Sequence, residues 1–357
     1  LYLKSRNRLF FSYIQNDTLF SADKAESRYV YSSRSLPLSP SSLAGYVAMS
    51  GESIIIDDVY DIKSDVDYSF NPDFDRKSSY RTKSMLIVPL KTARGKIVGV
   101  LQLINAKDDR GHIVSFSHDD QIYINHFSQH AAAAIEQGRL NREMVLRLVE
   151  ITELRDPFES SQHAKRVGAI AVELFDRWAR IQNLPVERIH RIREVLRTAA
   201  MLHDIGKIAV SDTVLKKTGE LNDSELRRVQ MHTILGGNLF RHRESEWDTL
   251  TAQVVLHHHE RWDGKGYPGL YKQQPGGEFV FGPGKKGTEI PWAARIVTIA
   301  DVYDALLSKR AYKEAWSKED VLLYFQNNAG KQFDPLMVKV LLSIQNIIDS
   351  IQKKYSY

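Results

Sequence analysis

The sequence predicts an α+β N-terminal domain, with an antiparallel sheet and helices, joined by a long helix to an all-α C-terminal domain. Three observations carry this prediction. The first part of the chain alternates short apolar runs with small-residue helical stretches. A helical pattern opens at Ser117 and runs to about residue 154. Beyond residue 156 the apolar spacing is helical almost throughout. At 357 residues the chain is longer than one ordinary core requires, which agrees with two domains. The boundaries read as 1–118 for the first domain, 119–154 for the linker helix and 155–357 for the second.

In the first domain, residues 41–51 are small and helical, and Ser53-Ile54-Ile55-Ile56 reads as a strand. Residues 57–84 are rich in Asp, Ser, Asn and Tyr and read as a lid or long loop. The apolar runs at 85–90 and 97–104 flank Ala93-Arg94-Gly95, a hairpin with a turn glycine. Ser117, with Asp120 three residues on, caps the linker helix. In the second domain the helical spacing is interrupted at 264–290, where Pro275-Gly276-Gly277 and Gly282-Pro283-Gly284 predict a long irregular loop.

Composition narrows the chemistry. Hydrophobic residues make up 43% and charged residues 26%, as in a globular protein. No apolar run approaches the roughly 20 residues that span a bilayer and no secretory signal opens the chain, so the expected location is cytoplasmic. The chain opens on Leu1 rather than Met and is expected to be a fragment of something longer. The net charge of +5 has no basic stripe behind it, so no nucleic-acid partner is expected. Cysteine is absent, which removes disulfides, thiolate metal sites and cysteine nucleophiles.

Any metal must therefore sit on nitrogen and oxygen, and the candidates recur on separate helices. His203-Asp204 ends a helix whose apolar face runs through Ile189, Ile192, Leu196 and Ala199, so His203 should point inward. A buried Asp204 beside it needs a cation or several donors. His232 reads as the end of the next helix, which Asn222 and Glu225 cap. His258-His259 closes a helix that begins near Leu250. Asp301 and Asp304 lie three apart on one helical face, and Glu159 and His163 lie four apart. Such a set suits iron, manganese, zinc or nickel, and Asp204 is placed to bridge two ions.

These residues resemble the HD-GYP family of cyclic di-GMP phosphodiesterases, within the HD metal-hydrolase superfamily. The likeness runs from about Thr152 to Pro335. It rests on His203-Asp204-Ile205-Gly206-Lys207, on His258-His259-Glu260-Arg261-Trp262-Asp263-Gly264-Lys265-Gly266-Tyr267-Pro268, and on Ala300-Asp301-Val302-Tyr303-Asp304-Ala305-Leu306 with Arg310-Ala311-Tyr312-Lys313. The resemblance implies one ion on His163, His203, Asp204 and Asp301, and a second on Asp204, His232, His258 and His259. Glu159 is left over as a ligand for a third, since Asp156-Pro157-Phe158-Glu159-Ser160-Ser161-Gln162-His163 is one residue longer than the family's usual motif. The cofactors expected are two or three divalent ions, iron first and manganese second. Lys207 is expected to hold a phosphate oxygen in catalysis, and Tyr267, Arg310 and Lys313 to contact substrate, with Asp304 either pairing with one of these cations or meeting a guanine of the substrate. The loop after Gly269 is longer than is usual in the family.

Residues 1–140 resemble GAF sensory domains through Leu43-Ala44-Gly45-Tyr46-Val47-Ala48, Ile56-Asp57-Asp58-Val59-Tyr60 and Gly99-Val100-Leu101-Gln102-Leu103-Ile104-Asn105. Asn105, Phe116 and Asp120 fit a motif of the cyclic-nucleotide-binding members, but Ala106 and Gln121 stand where that motif has Lys and Glu. A small-molecule sensor and a relay module without ligand both remain open. The expected activity is hydrolysis of cyclic di-GMP to linear pGpG, with onward cleavage to GMP open. A homodimer through the linker helix and GAF domain is expected. The alternatives are a cyclic di-GMP receptor without turnover and a phosphohydrolase of the same superfamily acting on another cyclic dinucleotide or nucleotide.

Overall fold

The apolar run at 85–90 is buried along its whole length because its strand is covered on both faces. The computed structural model describes residues 1–12, 35–78, 80–155, 161–242, 244–275, 279–308 and 315–355. Among them, β1 (Tyr2–Ser5), β2 (Arg8–Phe11), β3 (Ser35–Pro37), β4 (Ile54–Ile56), β5 (Met85–Lys91) and β6 (Ile97–Ile104) form one antiparallel sheet in the order β3-β2-β1-β6-β5-β4. α1 (Leu43–Ser50) packs Leu43 and Val47 with Met85 and Ile87 of β5. Leu90, three places after Ile87 and so on the opposite face, packs instead with Ala132 and Ile135 of the long helix that follows the sheet. The β5–β6 hairpin turns through Gly95 at φ 79°, as the sequence predicts.

The polar stretch at 57–84 is more ordered than expected. It contains α2 (Asp73–Ser78) and is fastened by two buried side chains. Asp75 accepts from Thr82 N at 2.7 Å, Thr82 Oγ1 at 2.8 Å and the Tyr60 hydroxyl at 2.9 Å. Asn105, at φ 56°, accepts from Lys83 N at 2.7 Å and donates to Arg81 O and the Tyr80 hydroxyl, both at 2.9 Å. Its amide is committed to holding this segment against the end of β6.

α3 (His118–Arg155) is a continuous helix of 38 residues. Ser117 and Asp120 cap it reciprocally, with Asp120 N to Ser117 Oγ at 3.1 Å and Ser117 N to Asp120 Oδ2 at 2.7 Å. The chain divides within this helix into two compact units, residues 1–141 and 142–357. No helix among the described residues is long and apolar enough to cross a membrane.

The second unit is helical: α4 (Ser161–Ile181), α5 (Val186–Met201), α6 (Asp212–Leu215), α7 (Asp223–Gln230), α8 (His232–Asn238), α9 (Glu246–His257), α10 (Trp292–Leu307), α11 (Lys318–Asn328), α12 (Pro335–Ser343) and α13 (Gln345–Tyr355). Its core joins Ile170, Leu174 and Phe175 of α4 to Leu196 and Ala199 of α5, Ile296 and Ala300 of α10, and Leu341 of α12. The last turn of α3 belongs to this unit. Arg155 donates to Ile208 O, to Val210 O at 3.1 Å and to Asp212 Oδ1 at 2.7 Å. Val149 packs on Leu202 and Ile205, the residues flanking His203-Asp204.

The loop at 264–290 departs from expectation, because it holds a short antiparallel hairpin of β7 (Tyr271–Gln273) and β8 (Phe279–Phe281). Tyr271 and Phe279 bring their rings to 6.0 Å across it. Three-residue strands set among glycines and prolines carry too little period to be seen in the sequence.

Asn105→Ala should lower the stability of the first unit by ~1–3 kcal/mol, the cost of leaving buried backbone groups unpaired. Asn105→Gly should recover part of the loss, because glycine accepts the positive φ without strain. Calorimetric unfolding of the full chain measures both, and an unchanged first transition in the alanine variant would contradict this role.

Candidate metal centre

His203 and Asp204 lie where α5 has just ended, so the helix delivers them to its buried end. Two residues later Gly206 makes the decisive approach. A Cβ there would stand 1.8 Å from His232 O and 2.6 Å from Gly236 N, so only glycine lets the start of α8 close on this turn. That approach brings His232 Nε2 to 3.1 Å from Asp204 Oδ1. His232 therefore opens α8 rather than ending the preceding helix as expected. The helical run is interrupted at Met231, and His232 Nδ1 lies 2.7 Å from the Val229 carbonyl.

His258 caps α9 and His259 follows it. Asp301 comes from the middle of α10 and His163 from the first turn of α4. Asp204, His232, His258 and His259 each offer an atom within 4.8 Å of the others, and His163, His203 and Asp301 make a second such group. Asp204 touches both. Its Oδ2 is 3.2 Å from His203 Nε2, and its Oδ1 is 3.5 Å from His258 Nε2. Asp301 Oδ1 lies 3.3 Å from His163 Nε2 and 3.9 Å from His203 Nε2.

The rings are oriented for ligation. Nδ1 of His203 lies 2.8 Å from Ala200 O, that of His232 2.7 Å from Val229 O and that of His258 3.0 Å from Val255 O. A carbonyl only accepts, so each Nδ1 carries a proton and each Nε2 is turned to the centre. Burial, followed by the charges of His258 and His232, pushes His259 well below the ordinary histidine range, and burial also lowers His258. Burial opposes a charge on His203, yet the Asp204 and Asp301 carboxylates raise it to about 9. Burial likewise opposes the charge on Asp204, but Lys207 and His203 hold it well below the carboxylate range. The carboxylates demand positive charge at this point.

A divalent cation fits that demand. His203 Nε2 and Asp204 Oδ1 are fully buried and make no hydrogen bond, an exception to the pairing of buried polar atoms that a ligand role explains. Nitrogen and carboxylate donors without thiolate suit first-row divalent ions.

Lys207 Nζ lies 2.9 Å from Asp204 Oδ2. Tyr267 stacks on His259 with ring centroids 4.7 Å apart, and burial pushes its hydroxyl above the ordinary value, so the proton stays on. Gly266 lets this happen, since a Cβ there would stand 2.3 Å from Arg261 N. Glu260, buried to 2% exposure, accepts from Gly269 N at 2.7 Å and Lys285 N at 3.0 Å, so one carboxylate holds both ends of the loop that follows Tyr267.

Asp304 stands apart from its expected role. It is fully buried, and Arg166 and His163 occupy its oxygens, so it faces the back of a histidine instead of substrate. Sequence reasoning passed over Arg166, Glu260 and Gln352. Arg166 had a signal, since it follows His163 by three residues and shares its helical face. Glu159, Arg310 and Lys313 lie outside the described residues.

A family model described as HD domain matches residues 148–337, over half of the chain and every histidine of this centre. The chain belongs to the HD domain family. A GAF domain model matches residues 3–135, so the HD domain follows a GAF domain, as the motifs implied. This chain is similar to the cyclic di-GMP phosphodiesterase response regulator RpfG of Xanthomonas campestris, 34% identical over 228 residues, which is 63% of this chain and 53% of that protein. It is similar to a cyclic di-GMP phosphodiesterase of Thermotoga maritima, 31% identical over 57% of this chain and 49% of the relative. It is also 30% identical to 3'3'-cGAMP-specific phosphodiesterase 2 of Vibrio cholerae, over 58% of this chain and 35% of the relative. The chain spans about half the length of these curated relatives, or less.

Gly206→Ala should separate Asp204 from His232 and weaken metal retention of the HD domain by about 10- to 100-fold, the range for losing a residue that orients ligands. Elemental analysis after dialysis measures it, with circular dichroism to confirm retained helix. Full metal content in the folded variant would show that the close approach is not needed.

Proposed function

We propose that this chain is a metal-dependent phosphodiesterase that opens cyclic di-GMP to linear pGpG, with the GAF domain as its regulatory unit. One observation carries the reading: a single buried carboxylate, Asp204, stands between two groups of histidines with the Lys207 ammonium against it. The names of the relatives from Xanthomonas campestris and Thermotoga maritima support the same substrate. His163, His203 and Asp301 would hold one ion and His232, His258 and His259 the other, with Asp204 shared. Bound ions supply an acidified water and charge stabilisation for displacement at phosphorus. Iron, then manganese, suits this donor set, and Glu159 is proposed as a ligand to a third ion.

The protein's own groups do the rest. Lys207 turns from Asp204 to a phosphate oxygen, and Tyr267, stacked on His259, keeps its proton and donates a hydrogen bond from its hydroxyl to the substrate. Arg310 and Lys313 are proposed to grip the second phosphate or a guanine edge, where Arg binds in two-point fashion. A second substrate, 3'3'-cGAMP, is favoured by the relatives of that name in Vibrio cholerae.

Metal-loaded protein incubated with each cyclic dinucleotide should yield linear product from cyclic di-GMP. Asp204→Ala should keep its helices, lose metal and fall in turnover by roughly a thousandfold or more. Product from 3'3'-cGAMP alone would establish the second substrate. Binding without product in metal-replete protein would establish a receptor instead, and full metal with normal turnover in the variant would refute the shared carboxylate.

A homodimer through α3 belongs to the same proposal, supported by exposed Tyr123, Phe127, Met144, Leu148 and Ile151 at steps of three and four within each cluster. Leu148→Asp should shift sedimentation of the full chain toward the monomer. An unchanged mass would remove this face from any interface.

A further inference from the structure

The histidines of the centre are not held in the same way. His203, His232 and His258 each bond the carbonyl three residues earlier in their own turn. This is open to them because they sit where a helix ends or is interrupted, and a carbonyl oxygen there has a lone pair to spare. Their orientation is local. His163 has no such recourse. It is the third residue of α4, and the groups left over at a helix start are N–H donors, not acceptors. The acceptor for its Nδ1 comes from another helix.

Asp304 of α10 supplies it, with Oδ2 at 2.8 Å from His163 Nδ1. Asp301, one turn earlier on α10, meets the other side of the same ring. Asp304 is itself gripped at two points by Arg166, Nε to Oδ1 at 2.6 Å and NH2 to Oδ2 at 2.9 Å. Gln352 of α13 adds a bond to Oδ1 at 3.1 Å, and Arg166 also reaches Ser308 Oγ at 3.1 Å. So His163 depends on three helices meeting, while His203, His232 and His258 are fixed by their own turns.

We propose that Asp304 and Arg166 are positioning residues for the ion at His163, His203 and Asp301 alone, so that the two ions of the centre can be lost separately. The proposal rests on the metal reading above. A carboxylate behind a ligating imidazole fixes its tautomer and strengthens its donor atom, and the loss of such a partner weakens metal binding by about 10- to 100-fold. The group of His232, His258 and His259 has no contact with this pair and should keep its ion.

The test is manganese binding to the full chain, first stripped of metal and then titrated with Mn²⁺ alone. Wild type should take up ions in each group. Asp304→Asn keeps the shape but places an amide N–H against either His163 or Arg166, both donors. In this variant one ion should bind as in wild type and one about 10- to 100-fold more weakly. Arg166→Lys, which keeps the charge and loses the two-point grip, should move the same ion in the same direction, and it decides alone if Asp304→Asn does not fold. A residue that merely stabilised the fold would weaken both ions together. That result, or two ions bound with wild-type affinity, would overturn the proposal. A wild-type protein that takes up no manganese would overturn the metal reading itself.

Discussion

Asp204 is a carboxylate inside the protein, lying between two sets of histidines and one lysine. Burying such a charge costs several kcal/mol unless positive charge and donors surround it. The geometry of the second unit serves that need. α5 ends so as to leave Asp204 at its buried tip, α8 begins against Gly206 and α9 stops at His258. α10 adds Asp301, a second carboxylate that deepens the demand for a cation. The helices are ordinary amphipathic elements; their ends converge because Asp204 must be compensated.

The ends of helices also explain the division of labour among side chains. Carbonyls at the termini of α5, α7 and α9 aim three imidazoles without any distant partner. The start of α4 cannot offer the same, so the fold brings a carboxylate across from α10 and a guanidinium to balance it. Three of the imidazoles are thus aimed by secondary structure, and the aim of His163 is an achievement of tertiary packing.

The same distinction decides what could be read from the sequence. His203 was placed correctly because Ile189, Ile192, Leu196 and Ala199 mark a face that leads to it. The 85–90 and 97–104 hairpin and the cap of α3 were visible because period and turn chemistry are local properties. The partners of Asp304 were not legible. Its three-residue step from Asp301 shows a shared face but not that the second carboxylate points back into α4 and α13. Arg166 and Gln352 were passed over because polar residues in amphipathic helices are usually solvated, and only the packed structure shows these engaged with a buried acid. His232 was assigned to the wrong helix, since the break at Met231 is set by the approach of Gly206. The order within 57–84 was hidden because Asp75 and Asn105 act through contacts with segments that carry no periodic signal.

Glu260 gives the long loop after Tyr267 an unusual freedom. With Gly269 and Lys285 both held by one buried carboxylate, the chain between them starts and finishes at fixed points regardless of what lies in between. Lengthening a loop whose ends are already held adds little entropic penalty, because closure cost grows only with the logarithm of length. The β7–β8 hairpin is therefore a replaceable module on a fixed mount. Evolution could exchange it to alter what gathers at the mouth of the centre, and an engineer could graft a reporter or recognition strand there, without moving the tyrosine that rests on His259.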